Sequence, residues 1–316
     1  MRARGRRMSE PALDLIVADT SDIATDVRLL RLACLNGAPL PRFQPGANVS
    51  IGARVDGRTF ERHYSLVNSP GDACAYDIAV LRQGLFSTYL HRLSAGAQLS
   101  VRAPRSQFAL DRRAKRHVLV AGGIGITPIY SFARALADDN TSFVIHYGAR
   151  SPGHFAFLQD LRTWAGEHLH LYAGALGQRL DVNRIFEARE DGDVFYACGP
   201  TRLIEACREA AHASGAPLHI ESFGAAAGHR APIRVTLARS GLDIVVSAER
   251  SILDVALDHG VMTSFDCRRG ECGACLARIL AGEVDHRDIC LTAAERGEFM
   301  TICVSRAKGD SLTLEL

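Results

Sequence analysis

Over residues 12–101, apolar and polar positions alternate in short runs. Alternation at 12–20, 27–33, 48–51, 63–67, 76–81 and 98–101 predicts six strands, since a period of two gives each strand one core-facing side. Turn-forming residues separate the runs, which argues for an antiparallel β-barrel. A helical insert is expected at 87–93, and Ala103-Pro104-Arg105-Ser106 breaks the strand pattern.

From His117 the texture changes. His-Val-Leu-Val-Ala-Gly-Gly is a continuous apolar run, the mark of a parallel strand covered on both faces. The pattern then predicts a helix at 128–137, a strand at 142–147, a helix at 155–164 and strands at 169–172 and 193–197. A helix at 201–214 and a strand at 218–221 follow. Strands alternating with helices define a doubly wound α/β domain. Residues 224–231, Gly-Ala-Ala-Ala-Gly-His-Arg-Ala, read as a linker. Beyond them the pattern predicts strands at 233–239 and 242–247, a helix at 252–259, a cysteine-rich loop, a strand at 276–280 and a closing strand at 311–315. The expected domains are 9–111, 112–228 and 229–316.

Composition narrows the classes. With 316 residues, 47% of them hydrophobic, each domain can bury a core without disulfide staples. A net charge of +2 is too small to imply a nucleic-acid partner. No run of about 18 apolar residues is present, so no membrane-spanning helix is expected. The start, Met-Arg-Ala-Arg-Gly-Arg-Arg-Met-Ser-Glu-Pro, is basic but lacks the apolar stretch of a secretory signal. It reads as a tail, with Met8 an alternative start, and the expected location is the cytoplasm. The tail's charge also suits an acidic partner.

Nine cysteines change the picture further, because five lie in the last 50 residues. Without export, a disulfide framework is not expected, and clustered cysteines read as metal ligands. Cys267, Cys272 and Cys275 are spaced C-x4-C-x2-C, the plant-type [2Fe–2S] pattern. Soft thiolates suit iron–sulfur clusters, and Gly270, Gly273 and Ala274 allow the backbone to curl around one. Structural zinc is the competing reading, but zinc loops usually carry two C-x2-C pairs. The fourth thiolate comes from further along, and both Cys290 and Cys303 are available.

The block from Cys267 through Val284-Asp285-His286-Arg287-Asp288 to Cys303-Val-Ser-Arg-Ala resembles the ferredoxin domain of the phthalate dioxygenase reductase family. That family comprises class IA reductases of Rieske-type oxygenases, with domain order flavin, NAD, [2Fe–2S]. The resemblance extends over nearly the whole chain from about residue 12. It implies a flavin barrel, a doubly wound NAD domain and a β-grasp ferredoxin domain, and it places Cys303 as the fourth ligand.

Arg62-His63-Tyr64-Ser65 resembles the R-x-Y-S flavin motif of the wider ferredoxin-reductase superfamily. Arg62 offers a guanidinium fork to a phosphate, Tyr64 a ring to the isoalloxazine, and Ser65 a hydroxyl to a ring nitrogen. A second flavin segment is expected at Ala79, Val80, Leu81, Gly84 and Ser87. Leu85 and Phe86 stand where the family has arginine and glycine, so FMN is favoured over FAD by the resemblance alone. Gly122-Gly123-Ile-Gly125-Ile-Thr127-Pro128 follows a strand and opens a helix, where a pyrophosphate is favoured. Thr127 is the expected N-cap, with Pro128 first in the helix. Cys198-Gly199-Pro200 resembles the family's C-G-P motif, which puts the cysteine beside the nicotinamide, and Phe223 is expected near the flavin ring. Cys198, Thr127 and Phe223 are thus the expected reaction-centre residues. Arg150 follows the next strand, where an acidic residue would hold an NAD ribose and an arginine suits the 2′-phosphate of NADPH. The resembled family uses NADH, which is the expected donor here.

These modules imply electron flow from NADH through flavin to the cluster and on to a Rieske-type terminal oxygenase, from a monomeric reductase. A reductase serving a cytochrome P450 is the alternative. A non-enzymatic redox-sensing or metal-binding module is the alternative of another class, and Arg62 together with the glycine loop argues against it.

Overall fold

A computed structural model describes residues 12–316 apart from Gln107, 224–230, Glu249, Cys267, Arg269, Glu271, Ile289, Ala293 and the side chain of Arg58. The chain forms two compact units. The first comprises residues up to 199 with 207–220, and the second 200–206 with 221–316.

The first unit opens with β1 (Ala12–Ala24), β2 (Val27–Cys34), β3 (Asn48–Val55), β4 (Arg58–Ser65) and β5 (Ala75–Leu81), then α1 (Leu85–His91) and β6 (Gln98–Arg105). These strands form one antiparallel sheet in the order β4-β3-β6-β1-β2-β5. A bridge between Leu66 and Ile78 joins its two edges, curling the sheet into a barrel. Leu15, Leu30, Leu32, Val49, Ile51, Tyr76 and Ile78 fill the interior and are fully buried. Strands β3 and β4 are longer than the alternation predicts. Asp56 and Gly57, at φ 48° and 75°, make a two-residue turn whose twist matches the hairpin. Pro104 also lies inside β6 instead of ending it. Asn48 pairs with Arg105 but Ser50 pairs with Arg102, so β6 carries one extra residue there. A proline, having no N–H, is tolerated at such a bulge.

The same unit continues through β7 (Arg116–Gly122), α2 (Ile126–Asp138), β8 (Phe143–Ala149), α3 (Leu158–Ala165), β9 (Leu169–Ala173), α4 (Val182–Glu187) and β10 (Asp193–Cys198). Then come α5 (Thr201–Ser214) and β11 (Leu218–Glu221), completing a sheet of order β11-β10-β7-β8-β9. The pairs β10/β7, β7/β8 and β8/β9 are parallel. The topology reverses direction between β7 and β10. Helix α3 begins three residues later than the periodicity suggests, after Phe157 in a left-handed conformation.

The second unit contains β12 (Ile233–Leu237), β13 (Leu242–Val246), α6 (Ile252–Asp258), β14 (Leu276–Ala281), β15 (Val284–Asp285), β16 (Phe299–Thr301), β17 (Arg306–Ala307) and β18 (Ser311–Leu314). Its main sheet runs β13-β12-β18-β14-β16. Strands β12 and β18 are parallel, while β12/β13, β14/β18 and β14/β16 are antiparallel. Helix α6 is capped by Ser251, whose hydroxyl accepts from the Asp254 amide at 3.0 Å. Val235, Leu237, Leu253, Ala256, Ile302 and Leu314 form the core. Among the described residues, no helix is long and apolar enough to cross a membrane.

Candidate functional site

Strand β4 projects Arg62 and Tyr64 to one side and His63 and Ser65 to the other, as the pleat requires. The Arg62 guanidinium is exposed, lies 5.6 Å from the Phe60 ring centroid and donates to the Glu61 carbonyl at 2.9 Å. Phe60 stacks in turn on Phe86 of α1, with centroids 5.5 Å apart. Tyr64 packs against the barrel core. Burial pushes its phenol well above the usual range, and the Arg62 charge offsets this only in part. Ser65 is 3% exposed, and its hydroxyl has no hydrogen-bond partner among the described residues. A buried hydroxyl left open costs stability unless a ligand or water fills it, which fits a flavin ring seated there. Beside this strand, Ser50 and Arg102 both donate to the Glu61 carboxylate, at 2.7 and 2.9 Å. His63 is half-buried opposite Ser50.

Ala79 and Val80 are buried in β5, and Leu81 is half-buried at its end. Gly84, at φ 114°, turns the chain into α1 in a conformation few other residues adopt. The Ser87 hydroxyl braces this turn, accepting from the Gln83 amide at 2.8 Å and donating to the Gly84 carbonyl at 3.1 Å.

Gly122 ends β7, and Ala121 lies in register with Cys198 at the end of β10. These two carboxyl-terminal ends flank the topological switch point, where open α/β sheets bind ligands. Gly123 has φ 56°. A Cβ on Gly125 would overlap the Cys198 carbonyl oxygen and fall 2.7 Å from the Gly199 nitrogen, so only glycine lets the two loops meet. Thr127 is not the N-cap. Residues 123–125 form a tight 3₁₀ turn running straight into α2, so the helix starts at Ile126 with Gly125 at its cap. Thr127 therefore lies inside the first turn, buried, with its hydroxyl donating to the Ile124 carbonyl at 3.0 Å. Pro128 still falls in the first turn, where its missing N–H costs nothing. Cys198 is fully buried and Gly199 half-buried. The Pro200 carbonyl accepts from the Leu203 amide at 2.8 Å, opening α5. Arg150 is exposed after β8, without an ion-pair partner among the described residues. Phe223 follows β11 in the second unit and is half-buried.

In the second unit Cys272 is exposed, and Cys275 and Cys303 are buried. A hydrogen bond from Cys303 holds the Cys275 thiol below the usual thiol range, against the effect of burial. The Ile302 amide donates to the Cys275 carbonyl at 3.1 Å, tying the loop to the Cys303 segment. Gly270 and Gly273 have φ 75° and 68°. A Cβ on Gly270 would stand 2.9 Å from the Asp288 Cα, so the loop closes tightly over the 286–291 segment. Asp288 anchors that segment. Its fully buried carboxylate accepts from the Ser305 hydroxyl at 3.2 Å and the Leu291 amide at 3.1 Å. Cys290 lies near Gly273, where a Cβ would sit 3.9 Å from the Cys290 sulfur. Cys267 lies outside the described residues, and the described residues alone bring no set of three metal-binding side chains together. Left-handed glycines, paired Cys275 and Cys303 thiols and an all-thiol donor set nevertheless fit a [2Fe–2S] cluster better than a hard cation. Residue types alone give no signal for Asp288, whose importance comes from partners elsewhere in the sequence.

A flavin barrel, a glycine loop at a switch point and a cysteine loop in a β-grasp fold define a flavin- and nicotinamide-dependent iron–sulfur oxidoreductase. The chain matches family models for an oxidoreductase FAD-binding domain at 14–110, an oxidoreductase NAD-binding domain at 119–209 and a 2Fe-2S iron-sulfur cluster binding domain at 235–308. It is 38% identical to phthalate dioxygenase reductase of Burkholderia cepacia, covering 96% of this chain and 97% of that protein. A solved phthalate dioxygenase reductase structure superposes with TM-score 0.80 at 37% identity, covering 96% of this chain and 98% of its own. An intact type IV self-sufficient cytochrome P450 monooxygenase matches all of this chain at 37% identity and TM-score 0.68, over 43% of its own length. The chain belongs to the phthalate dioxygenase reductase family.

Proposed function

We propose that this enzyme oxidises NADH with FMN as its flavin and delivers electrons to a Rieske-type terminal oxygenase, working as a cytoplasmic monomer. The observation that carries this reading is the complete set of three modules on one chain, matched end to end by phthalate dioxygenase reductase. Bound flavin supplies the step between two-electron hydride chemistry and a one-electron cluster.

The chain's residues position these groups. Arg62 holds the flavin phosphate, Tyr64 packs on the ring system, and Ser65 uses its open hydroxyl at the ring edge. Ala79, Val80 and Leu81 form an apolar wall, and Gly84 and Ser87 shape the turn beside the phosphate. Gly122, Gly123 and Gly125 give the dinucleotide pyrophosphate close access to the backbone at the start of α2. Cys198, Gly199 and Pro200 receive the nicotinamide, and the burial of Cys198 and Thr127 keeps water from the transfer. Arg150 packs over the adenine. Cys267, Cys272, Cys275 and Cys303 hold the iron.

A cytochrome P450 acceptor is the second reading, favoured by the match of all of this chain to part of a self-sufficient P450. Anaerobic mixing of reductase and NADH with fractions of the protein's own cell extract separates the two. Reduction of a fraction with a Rieske iron–sulfur spectrum is expected. Reduction of a haem fraction alone assigns the acceptor to the P450 class. At least tenfold higher kcat/KM with NADH than with NADPH is expected, and the reverse ratio would assign Arg150 to a 2′-phosphate.

A further inference from the structure

Asn48 opens β3, directly opposite Ser65 at the end of β4. Residues opposed across an antiparallel pair point to the same face, with Cβ atoms about 4.5–5.5 Å apart. Each is at most 3% exposed. The Asn48 amide nitrogen and the Ser65 hydroxyl are both buried without a hydrogen-bond partner among the described residues. Two adjacent unfilled polar groups on one face are costly, since each gives up water and gains nothing. The Leu66 amide donates to the Ala47 carbonyl at 2.8 Å, which ties the end of β4 to the start of β3 beside the two open side chains.

The position is informative. Gly46, two residues before Asn48, lies against Phe132 of α2, where a Cβ would fall 2.5 Å from the ring. Its amide donates to the Ser131 hydroxyl at 3.3 Å. The strand therefore leaves the contact between barrel and nucleotide sheet, within one compact unit, and its next polar side chain is Asn48. Hydride must pass at this boundary, and the isoalloxazine offers ring carbonyls and a ring nitrogen as acceptors.

We infer that Asn48 is a second flavin-ring hydrogen-bond donor, its amide paired with the Ser65 hydroxyl along one edge of the isoalloxazine. The inference rests on the flavin seat at Arg62–Ser65 and adds a residue outside that motif. The donor favours electron density at the ring edge, so it helps hold the reduced form.

Asn48→Leu, nearly isosteric, removes the donor. Flavin loss from the holoenzyme on dilution, read by flavin fluorescence, should rise about tenfold, or ~1.4 kcal/mol. The flavin visible band should shift and its midpoint potential fall, while iron content stays at the wild-type level. Asn48→His, which keeps a donor, should restore most of the affinity. A purely structural role would lower thermal stability without moving the flavin spectrum, and that result overturns the inference. Wild-type flavin retention and spectrum in Asn48→Leu would overturn it too. Arg62→Ala and Ser65→Ala separate the two levels. If they weaken flavin and Asn48→Leu does not, only Asn48 is misassigned. If none of the three does, the flavin seat itself is wrong.

Discussion

Gly125 shows how a single missing side chain can decide the nucleotide site. Its Cα faces the Cys198–Gly199 backbone so closely that any Cβ must displace one strand end. Overpacking of this kind costs ~1–3 kcal/mol, and here the cost falls on the two loops that meet at the switch point, the proposed dinucleotide seat. Gly125→Ala should slow flavin reduction by NADH more than tenfold in stopped flow, with flavin and iron contents unchanged. An unaltered rate would mean that the loops can part without harm. A second single-residue question concerns the fourth iron ligand. Cys303 pairs with Cys275, while Cys290 lies near Gly273. Cys303→Ser should lose the cluster's iron and visible absorbance, and Cys290→Ser should keep both. The opposite result would move the ligand to Cys290.

Between elements, β8 and β9 place His146 beside His170, with ring centroids 4.8 Å apart. Burial lowers the His146 pKa to about 4, and the facing His170 adds to the shift. In the unfolded chain the same ring titrates near its ordinary value of 6.5. Between these values the unfolded chain binds more protons, so stability is full above pH 6.5 and is lost as pH falls toward 4. The loss is at most roughly 3 kcal/mol, at 1.36 kcal/mol per pKa unit. Urea melts at pH 7 and pH 5 should show a smaller pH difference in His146→Gln than in the wild type. Equal differences would place the acid sensitivity elsewhere. At this scale, legibility follows locality. The central parallel strands are readable because a continuous apolar run needs no partner to be recognised. The β3–β4 hairpin is signalled by Asp56-Gly57, a pair typical of this turn, yet the alternation marks β4 only from His63, although pairing begins at Arg58. Short strands β15, β16 and β17 carry almost no periodicity and exist through distant partners. Thr127 resembles a cap because residue type alone does not reveal a 3₁₀ turn ahead of a helix. The cysteine loop is legible from spacing, whereas Asn48 and Asp288 become visible only when folding brings their surroundings together.

At the scale of the whole molecule, the order of the modules sets the route of electrons. Flavin and nucleotide domains share one compact unit, and the iron–sulfur domain forms most of the other. Hydride acceptance therefore needs residues no further along the chain than Phe223, while delivery to a one-electron protein acceptor needs the cysteine loop. A truncation after Gly228, in the stretch joining the nucleotide and iron–sulfur domains, tests this division. Flavin-dependent ferricyanide reduction by NADH should persist at a similar rate, since a small oxidant can reach the flavin directly. Cytochrome c reduction should fall at least tenfold, because the exit domain is gone. Loss of flavin or of thermal stability in the fragment would show that the second unit supports the first, and the rates would then be compared in full-length Cys275→Ser instead. Equal cytochrome c rates in the truncated and full-length proteins would mean that electrons leave from the flavin. The ferredoxin domain would then have another task, and the case for an oxygenase partner would lose its physical basis.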